Sequence, residues 1–420
     1  MRTDIPLINP NKPYYKWYIL MLATAIHGLI AGAERMCLPP LFAEITESLS
    51  MSMTQMMTVW AMDPLAGVFV SLGAGLLIDK FGVKRTLAAA CFLAGATGAL
   101  RGLSVDFPSM AVTMFMFGSL VAMMPTLLPK VTAIWFIGRR LALANSILAV
   151  GMTGGAMFAS LVSATLFSPL LGGWRYVLLL YGIPPILLSV LWFMTAKEPE
   201  RSRTQDAKVS EVPFREAISR VVRIKEVWII GLVFMGAQGA FNSISGYLPS
   251  YLRDIGWDAV SADSALTLLI GMTAVSSIPM GIISDKLGSR KAVLIPSLFI
   301  VAVTLGAIPF FHGSAIWALI TVNGLLRGSM YPLLTALVVE QRKVGPRYAG
   351  TAIGVVLSLA MVGASFTPPL GTAVAGIYGG GAAILAWAII SIISLGGFFF
   401  VKEAPLKPSR SAEPSTELRP

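Results

Sequence analysis

The sequence predicts an all-helical membrane protein of twelve transmembrane helices, arranged as two pseudo-symmetric six-helix bundles. Three observations lead there. The 420-residue chain is 55% hydrophobic and only 13% charged, about half of the ~25% charged residues typical of a soluble domain. Apolar stretches follow one another along it, each near the ~20 residues a helix needs to cross a bilayer. An eleven-residue stretch also occurs twice, half a chain apart. Gly75-Leu76-Leu77-Ile78-Asp79-Lys80-Phe81-Gly82-Val83-Lys84-Arg85 returns as Gly281-Ile282-Ile283-Ser284-Asp285-Lys286-Leu287-Gly288-Ser289-Arg290-Lys291.

The period of that repeat is too long for a solenoid unit and marks a duplicated half-protein. The spans are expected to start near Trp17, Thr54, Thr86, Ser109, Leu141, Arg175, Val227, Ala262, Lys291, Ala315, Tyr348 and Ala382. The links Val105-Asp106-Phe107-Pro108 and His312-Gly313-Ser314 are so short that they join antiparallel neighbours. Residues 196–226 are polar, charged and prolyl, and separate a first bundle (17–195) from a second (227–401). Residues 1–16 and 402–420 are read as a short N-terminal segment and a disordered tail.

Basic residues set the expected orientation. With the N-terminus inside, 26 of the 32 Lys and Arg fall in cytoplasmic segments; the reverse orientation would violate the positive-inside bias. Both termini and both copies of the repeat are therefore expected in the cytoplasm. The net charge of +11 then reflects topology, and no nucleic-acid partner is implied. Cys37 and Cys91 lie in apolar runs and suggest neither a disulfide framework nor a metal site. No nucleophile, metal set, cofactor or nucleotide-binding loop is apparent, so an enzyme and an ATP-driven pump are both disfavoured. The expected setting is the cell membrane, as a multi-pass monomer.

The repeat, Gly-x-Leu-x-Asp-Lys-x-Gly-x-Lys-Arg, resembles the signature loop of the major facilitator superfamily. The match covers Gly75, Asp79, Gly82, Lys84 and Arg85, and in the second copy Gly281, Asp285, Gly288, Arg290 and Lys291. The resemblance implies two six-helix halves around a central site that opens alternately to either side, with these loops as gating elements. Glycines permit a tight turn, and an aspartate beside bases can lock the halves on the cytoplasmic side.

Shorter stretches resemble the anion-handling branches of that superfamily. Leu128-Pro129-Lys130 with Trp135-Phe136 and Arg139-Arg140, and Gly246-Tyr247-Leu248-Pro249-Ser250-Tyr251-Leu252, are similar to cyanate-permease and nitrate-type porters. Glu34-Arg35 resembles the acid–arginine pair of organic anion:cation symporters, where the acid is a proton site and the arginine a substrate contact. Monocarboxylate-type porters belong to the same comparison. Span four lacks the acid that some of those symporters use. Span five lacks the Gly-Pro pair of drug exporters and carries Gly151-Met152-Thr153-Gly154-Gly155 instead, which favours uptake.

Six bases remain outside the topology signal: Arg35, Arg101, Lys130, Arg175, Arg253 and Arg327. Arg175 and Arg253 are read as loop or helix-end residues, and Arg101 as a side chain snorkelling to the surface. Arg327 lies about 18 Å into span ten at 1.5 Å per residue, near the midplane. An arginine there costs at least about 2.5–3.5 kcal/mol unless it meets water or a partner. A planar guanidinium suits bidentate binding of a carboxylate; the competing reading is an ion pair or a helix-carbonyl contact.

Two acids are placed within spans, Glu34 and Asp63. Each either neutralises an arginine or carries a proton. His27 is a titratable candidate or a structural histidine. Gln238, Asn242, Asn323 and Tyr331 are candidates to line the cavity. The expectation is thus a proton-coupled uptake transporter for a small organic anion, with Arg327 and Arg35 on the substrate. A drug or cation exporter of the same superfamily is ranked lower, because a cation site wants a deep unbalanced acid. A non-transporting receptor on the same bundle would bring an added signalling segment.

Overall fold

The computed structural model describes residues 14–70, 77–78, 80–197, 214–341 and 343–401. Gly75 and Asp79, the N-terminal segment to residue 13, linker residues 198–213 and the expected tail lie outside the described residues. Every regular element among the described residues is helical. Eleven helices there are long and apolar enough to span a membrane. They are span 1 (Tyr15–Glu34), span 3 (Val83–Leu103), span 4 (Phe107–Trp135), span 5 (Arg140–Leu171), span 6 (Trp174–Thr195) and span 7 (Lys225–Asp254). Span 8 (Ala259–Leu287), span 9 (Lys291–Phe310), span 10 (Ser314–Val339), span 11 (Tyr348–Tyr378) and span 12 (Gly380–Phe400) complete the set. The expected second span is the helix Met53–Val70, which runs up to residues outside the description. Every expected start falls within about three residues of the observed one, because helices begin where turn-forming or polar residues meet an apolar run.

Local signals explain the ends. Asp106 caps span 4 by accepting from the Ser109 amide, while the Ser109 hydroxyl accepts from the Asp106 amide, a reciprocal capping box. Asp258 caps span 8 through the Ser261 amide. The second glycine of each repeat copy has positive φ, 82° at Gly82 and 65° at Gly288, so a side chain at either would be strained. Within the expected linker, residues 214–221 form a short helix, Phe214–Val221.

The two halves repeat one another down to individual contacts. Gly118 and Gly324 are separated by the same interval as Gly75 and Gly281. A Cβ on Gly118 would lie 2.7 Å from the Asp63 carbonyl oxygen; on Gly324, 2.9 Å from that of Leu269. Asp63 and Leu269 are themselves related by that interval. Span 4 thus seats on span 2 as span 10 seats on span 8. Span 1 likewise packs backbone-to-backbone on the glycine run of span 5, where Gly155 has room for no side chain against the Gly28 carbonyl. The wound-out segment of span 1 at this contact is a π-helix, Gly28–Glu34, a local form that recurs at functional sites.

The halves meet through spans 2 and 11 and through spans 5 and 8. Gly67 lies against Met361, and the Ser160 and Thr267 hydroxyls are 2.8 Å apart. Span 1 continues past its π segment as the helix Leu38–Ser48, and Phe42 from it meets Trp60 and Gly246. These contacts lie from mid-span toward the face opposite the linker.

One of the six bases departs from expectation. Arg101 does not snorkel; it is fully buried, stacks 4.0 Å over Phe117 and donates to the Glu34 backbone carbonyl at 2.9 Å. Arg253 lies at a helix end, as expected, and pairs at 2.6 Å with Asp263 of span 8, which is fully buried. Arg175 donates to the carbonyls of Gly102 and Ser104 and lies over Trp174, which ties the span 3–4 loop to span 6. Because Gly155 admits no side chain, Gly155→Val should cost at least about 1–3 kcal/mol of stability. Thermal unfolding of the purified protein in detergent measures it, and an unchanged midpoint would mean that span 1 is not held by this contact.

Candidate functional site between the two halves

Arg327 ends the helix Ser314–Arg327, just before a break in span 10 at Gly328 and Ser329. Its side chain therefore leaves span 10 where the backbone ladder is interrupted, and it turns toward span 7. One Nη donates to the Ala237 carbonyl at 3.2 Å, and the other to Gln238 Oε1 at 2.5 Å. The guanidinium carbon sits 4.1 Å from the centre of the Phe241 ring, a cation–π contact. Arg327 is only 7% exposed. Among the described residues no carboxylate lies within ion-pairing distance of it. A carbonyl, an amide and an aromatic face supply partial negative charge but do not neutralise a full cation.

Four residues further along the same face of span 7, Asn242 meets the other half. Its Oδ1 accepts from Arg35 at 3.4 Å, and its backbone carbonyl accepts from the Trp60 indole at 2.9 Å. Its own amide donates to the Ala364 carbonyl on span 11. Residues four apart on a helix stand about 5–6 Å from each other, so Gln238 and Asn242 bring the two arginines to one region between the halves. Arg35 differs from Arg327 in one respect. Its Nε lies 2.5 Å from Asp63 Oδ2, so its charge is matched. Its guanidinium also lies over the Trp60 ring at 5.4 Å.

Glu34, the neighbour of Arg35, points the other way around span 1. It is fully buried, and one carboxylate oxygen is 3.8 Å from an Arg101 nitrogen. Neither of its oxygens accepts a hydrogen bond among the described residues. Gly98 of span 3 gives it room: a Cβ there would overlap the carboxylate.

The remaining candidates divide. Gln238 and Asn242 are at the site. His27 is not joined to it in the structure; its Nδ1 lies 3.1 Å from the Leu148 carbonyl on span 5. Asn323 does not line the site, because its amide donates to the Val301 carbonyl and the Thr304 hydroxyl on span 9. Tyr331 is about half exposed, one turn beyond Arg327, with its ring against Phe234. Phe241 and Trp60 were missed. Their signal was available only as aromatic residues one turn from a polar one on an otherwise apolar helix, a pattern that packing residues share.

The second copy of the repeat forms its ion pairs within its own half. Asp285 pairs with Arg290 at 2.5 Å, and Arg290 reaches Glu340 at the end of span 10 at 3.2 Å. This network ties spans 8, 9 and 10 together. In the first copy, the Lys84 ammonium lies over Phe193, and the Lys84 carbonyl accepts from the Trp192 indole; both partners are on span 6. Arg85 is exposed.

Profile comparison matches the Major Facilitator Superfamily over residues 24–276 and again over 253–419. The chain belongs to the Major Facilitator Superfamily. Solved structures agree on the fold: a bacterial homologue of the human lysosomal transporter Spinster superposes with a TM-score of 0.75 at 16% identity, over 93% of this chain and 97% of its own. A hexuronate transporter of Bacillus subtilis is 24% identical over 352 residues, covering 78% of this chain and 81% of its own. A sialic acid transporter of Escherichia coli is 24% identical over 346 residues, covering 79% and 81%. A "probable nitrate/nitrite antiporter" of Thermus thermophilus is 23% identical over 382 residues, 84% of each chain. The facilitator is a multi-pass plasma-membrane transporter, not an enzyme.

The Arg101–Glu34 pair is buried on both sides, so removing one partner strands the other. Arg101→Met should lower stability by about 3–5 kcal/mol, and Arg101→Met with Glu34→Gln should recover most of that loss. Thermal unfolding of the three proteins measures both. A single variant as stable as the wild type would show that no buried carboxylate is stranded at Glu34.

Proposed function

We propose that this facilitator carries a small organic anion, a carboxylate, and moves it together with a proton. The buried guanidinium of Arg327, with no carboxylate beside it among the described residues, is the observation that carries the reading. A cation held that deep is satisfied by an anion brought from water, and its planar fork favours a carboxylate. The named functions of the relatives support the sign of the charge. Hexuronate, sialic acid and nitrate or nitrite are all anions.

Arg327 belongs to the second half and Arg35 to the first, so one anion between them links the halves that must rock in alternating access. Gln238 and Asn242 hold the two guanidinium groups in register. The proton is assigned to Glu34. It is deeply buried and both of its oxygens take no hydrogen bond among the described residues, whereas Asp63 is committed to Arg35. Inward co-movement of H⁺ with a monoanion is electrically neutral and so is not opposed by a negative-inside potential. A cation exporter would need the opposite sign at the midplane.

The test is uptake into liposomes. Screening carboxylates finds a substrate, and an imposed inward pH gradient should accelerate its entry. Arg327→Gln should reduce uptake at least ~100-fold, as expected for losing a charged partner of a buried charge. Glu34→Gln should leave exchange of substrate across the membrane intact while removing the response to the pH gradient. Wild-type transport by Arg327→Gln contradicts the anion assignment, and uptake indifferent to pH contradicts the symport.

A further inference from the structure

The two arginines of the site are not equivalent in charge, and the difference points to a specificity determinant. Arg327 has two neutral oxygen acceptors and an aromatic ring. Arg35 has an aspartate at 2.5 Å as well as Asn242 and Trp60. The Glu34–Arg101 pair is separately matched and lies on the far side of span 1. Around the space between Gln238 and Asn242 the fixed charges are therefore two guanidinium groups and one carboxylate, a sum of +1.

We propose that Asp63 sets the charge of the transported anion: by holding Arg35, it leaves the site matched to a monoanion and poorly matched to a dianion. The inference rests on the anion-transport reading and deepens it. A second carboxylate arriving at Arg35 would have to displace Asp63 or lie beside it. Two carboxylates close together in a low-dielectric region repel strongly. Asp63 is also unable to swing away freely. It is only 4% exposed, and Gly118 presses on its backbone. The second half shows that an acid is not needed at this place for the fold. There the same close contact is made to Leu269, an apolar residue at the equivalent position.

The experiment uses the full-length protein in detergent and liposomes at one fixed pH. Butyrate is paired with succinate, and benzoate with terephthalate, so that size is matched and charge is not. For the wild type the monoacid of each pair should bind about tenfold or more tightly than the diacid. Asp63→Asn, nearly isosteric, exposes the charge of Arg35 and should shift that ratio toward the diacid by about tenfold or more. Arg35→Gln with Asp63→Asn returns the sum to +1 and should return the preference to the monoacid. Asn242→Asp reaches the same question without touching Asp63. It brings the sum to zero and should weaken both acids of each pair about tenfold or more.

An unchanged ratio in Asp63→Asn, or a double variant that keeps the diacid preference, overturns the proposal. Should Asp63→Asn not fold, wild-type affinity in Asn242→Asp overturns it instead. If no acid of either charge binds the wild type, the anion reading itself is overturned and this inference falls with it. Binding of both acids with the ratio unmoved leaves anion transport standing and removes only the role of Asp63.

Discussion

A permanently charged group sits where the surrounding medium disfavours charge. Arg327 lies near the middle of span 10, 7% exposed, and an arginine at that depth costs several kcal/mol on its own. The structure mitigates the cost in every way short of neutralising it. A break in the helix frees the side chain, a backbone carbonyl and the Gln238 amide oxygen accept its protons, and Phe241 covers its face. What is left is a demand for negative charge in a place that only a ligand or a large rearrangement can reach. The site around it is organised by that demand: span 7 presents Gln238 to one arginine and Asn242 to the other, so the cation of one half is in register with the cation of the other.

Duplication explains the frame, and its breaking explains the site. The close contacts between helices are conserved across the two halves down to the interval in the chain, as with Gly118 on Asp63 and Gly324 on Leu269. Such contacts are steric and serve both halves equally. Charge is not shared in this way. Asp63 answers to Leu269, and Arg327 answers to Val121 at the same interval. A symmetric frame can rock about its own centre, while a polar site for an asymmetric ligand has to be written into one half at a time. Contacts between the halves fit the same picture: Trp60, Phe42 and Gly246 join the halves opposite the linker, and the Asp285–Arg290–Glu340 network on the linker side holds within the second half.

Much of this was legible in the sequence because the bilayer imposes simple rules. Span starts followed from length and hydropathy, and the depth of Arg327 followed from counting residues at a fixed rise. Pairing was not legible. Whether Asp63 or Glu34 meets Arg35 depends on helix rotation, and the π segment at Gly28–Glu34 shifts rotation by an amount that no apolar pattern records. For the same reason Arg101 read as a snorkelling side chain and proved to be a buried partner. Asp263 was overlooked because it lies one residue past the expected helix start at Ala262, where an acid is ordinarily solvated. Asn323 lies one turn from Arg327 on the same helix, but its side chain bonds elsewhere. Four residues apart place two side chains near one another along a helix, yet tertiary packing sent one toward span 9 and the other toward span 7.

The central claim is that an unbalanced buried cation defines the ligand. The most direct measurement is the thermal stability of the purified full-length protein against matched panels of organic anions and organic cations, for the wild type and for Arg327→Gln. A ligand that binds only the folded state stabilises it by about 2.7 kcal/mol at a hundred times its Kd. The account predicts concentration-dependent stabilisation of the wild type by at least one anion, none by the cations, and loss of the anion effect in Arg327→Gln. Stabilisation by cations with anions inert, or an anion effect that survives in Arg327→Gln, would contradict it.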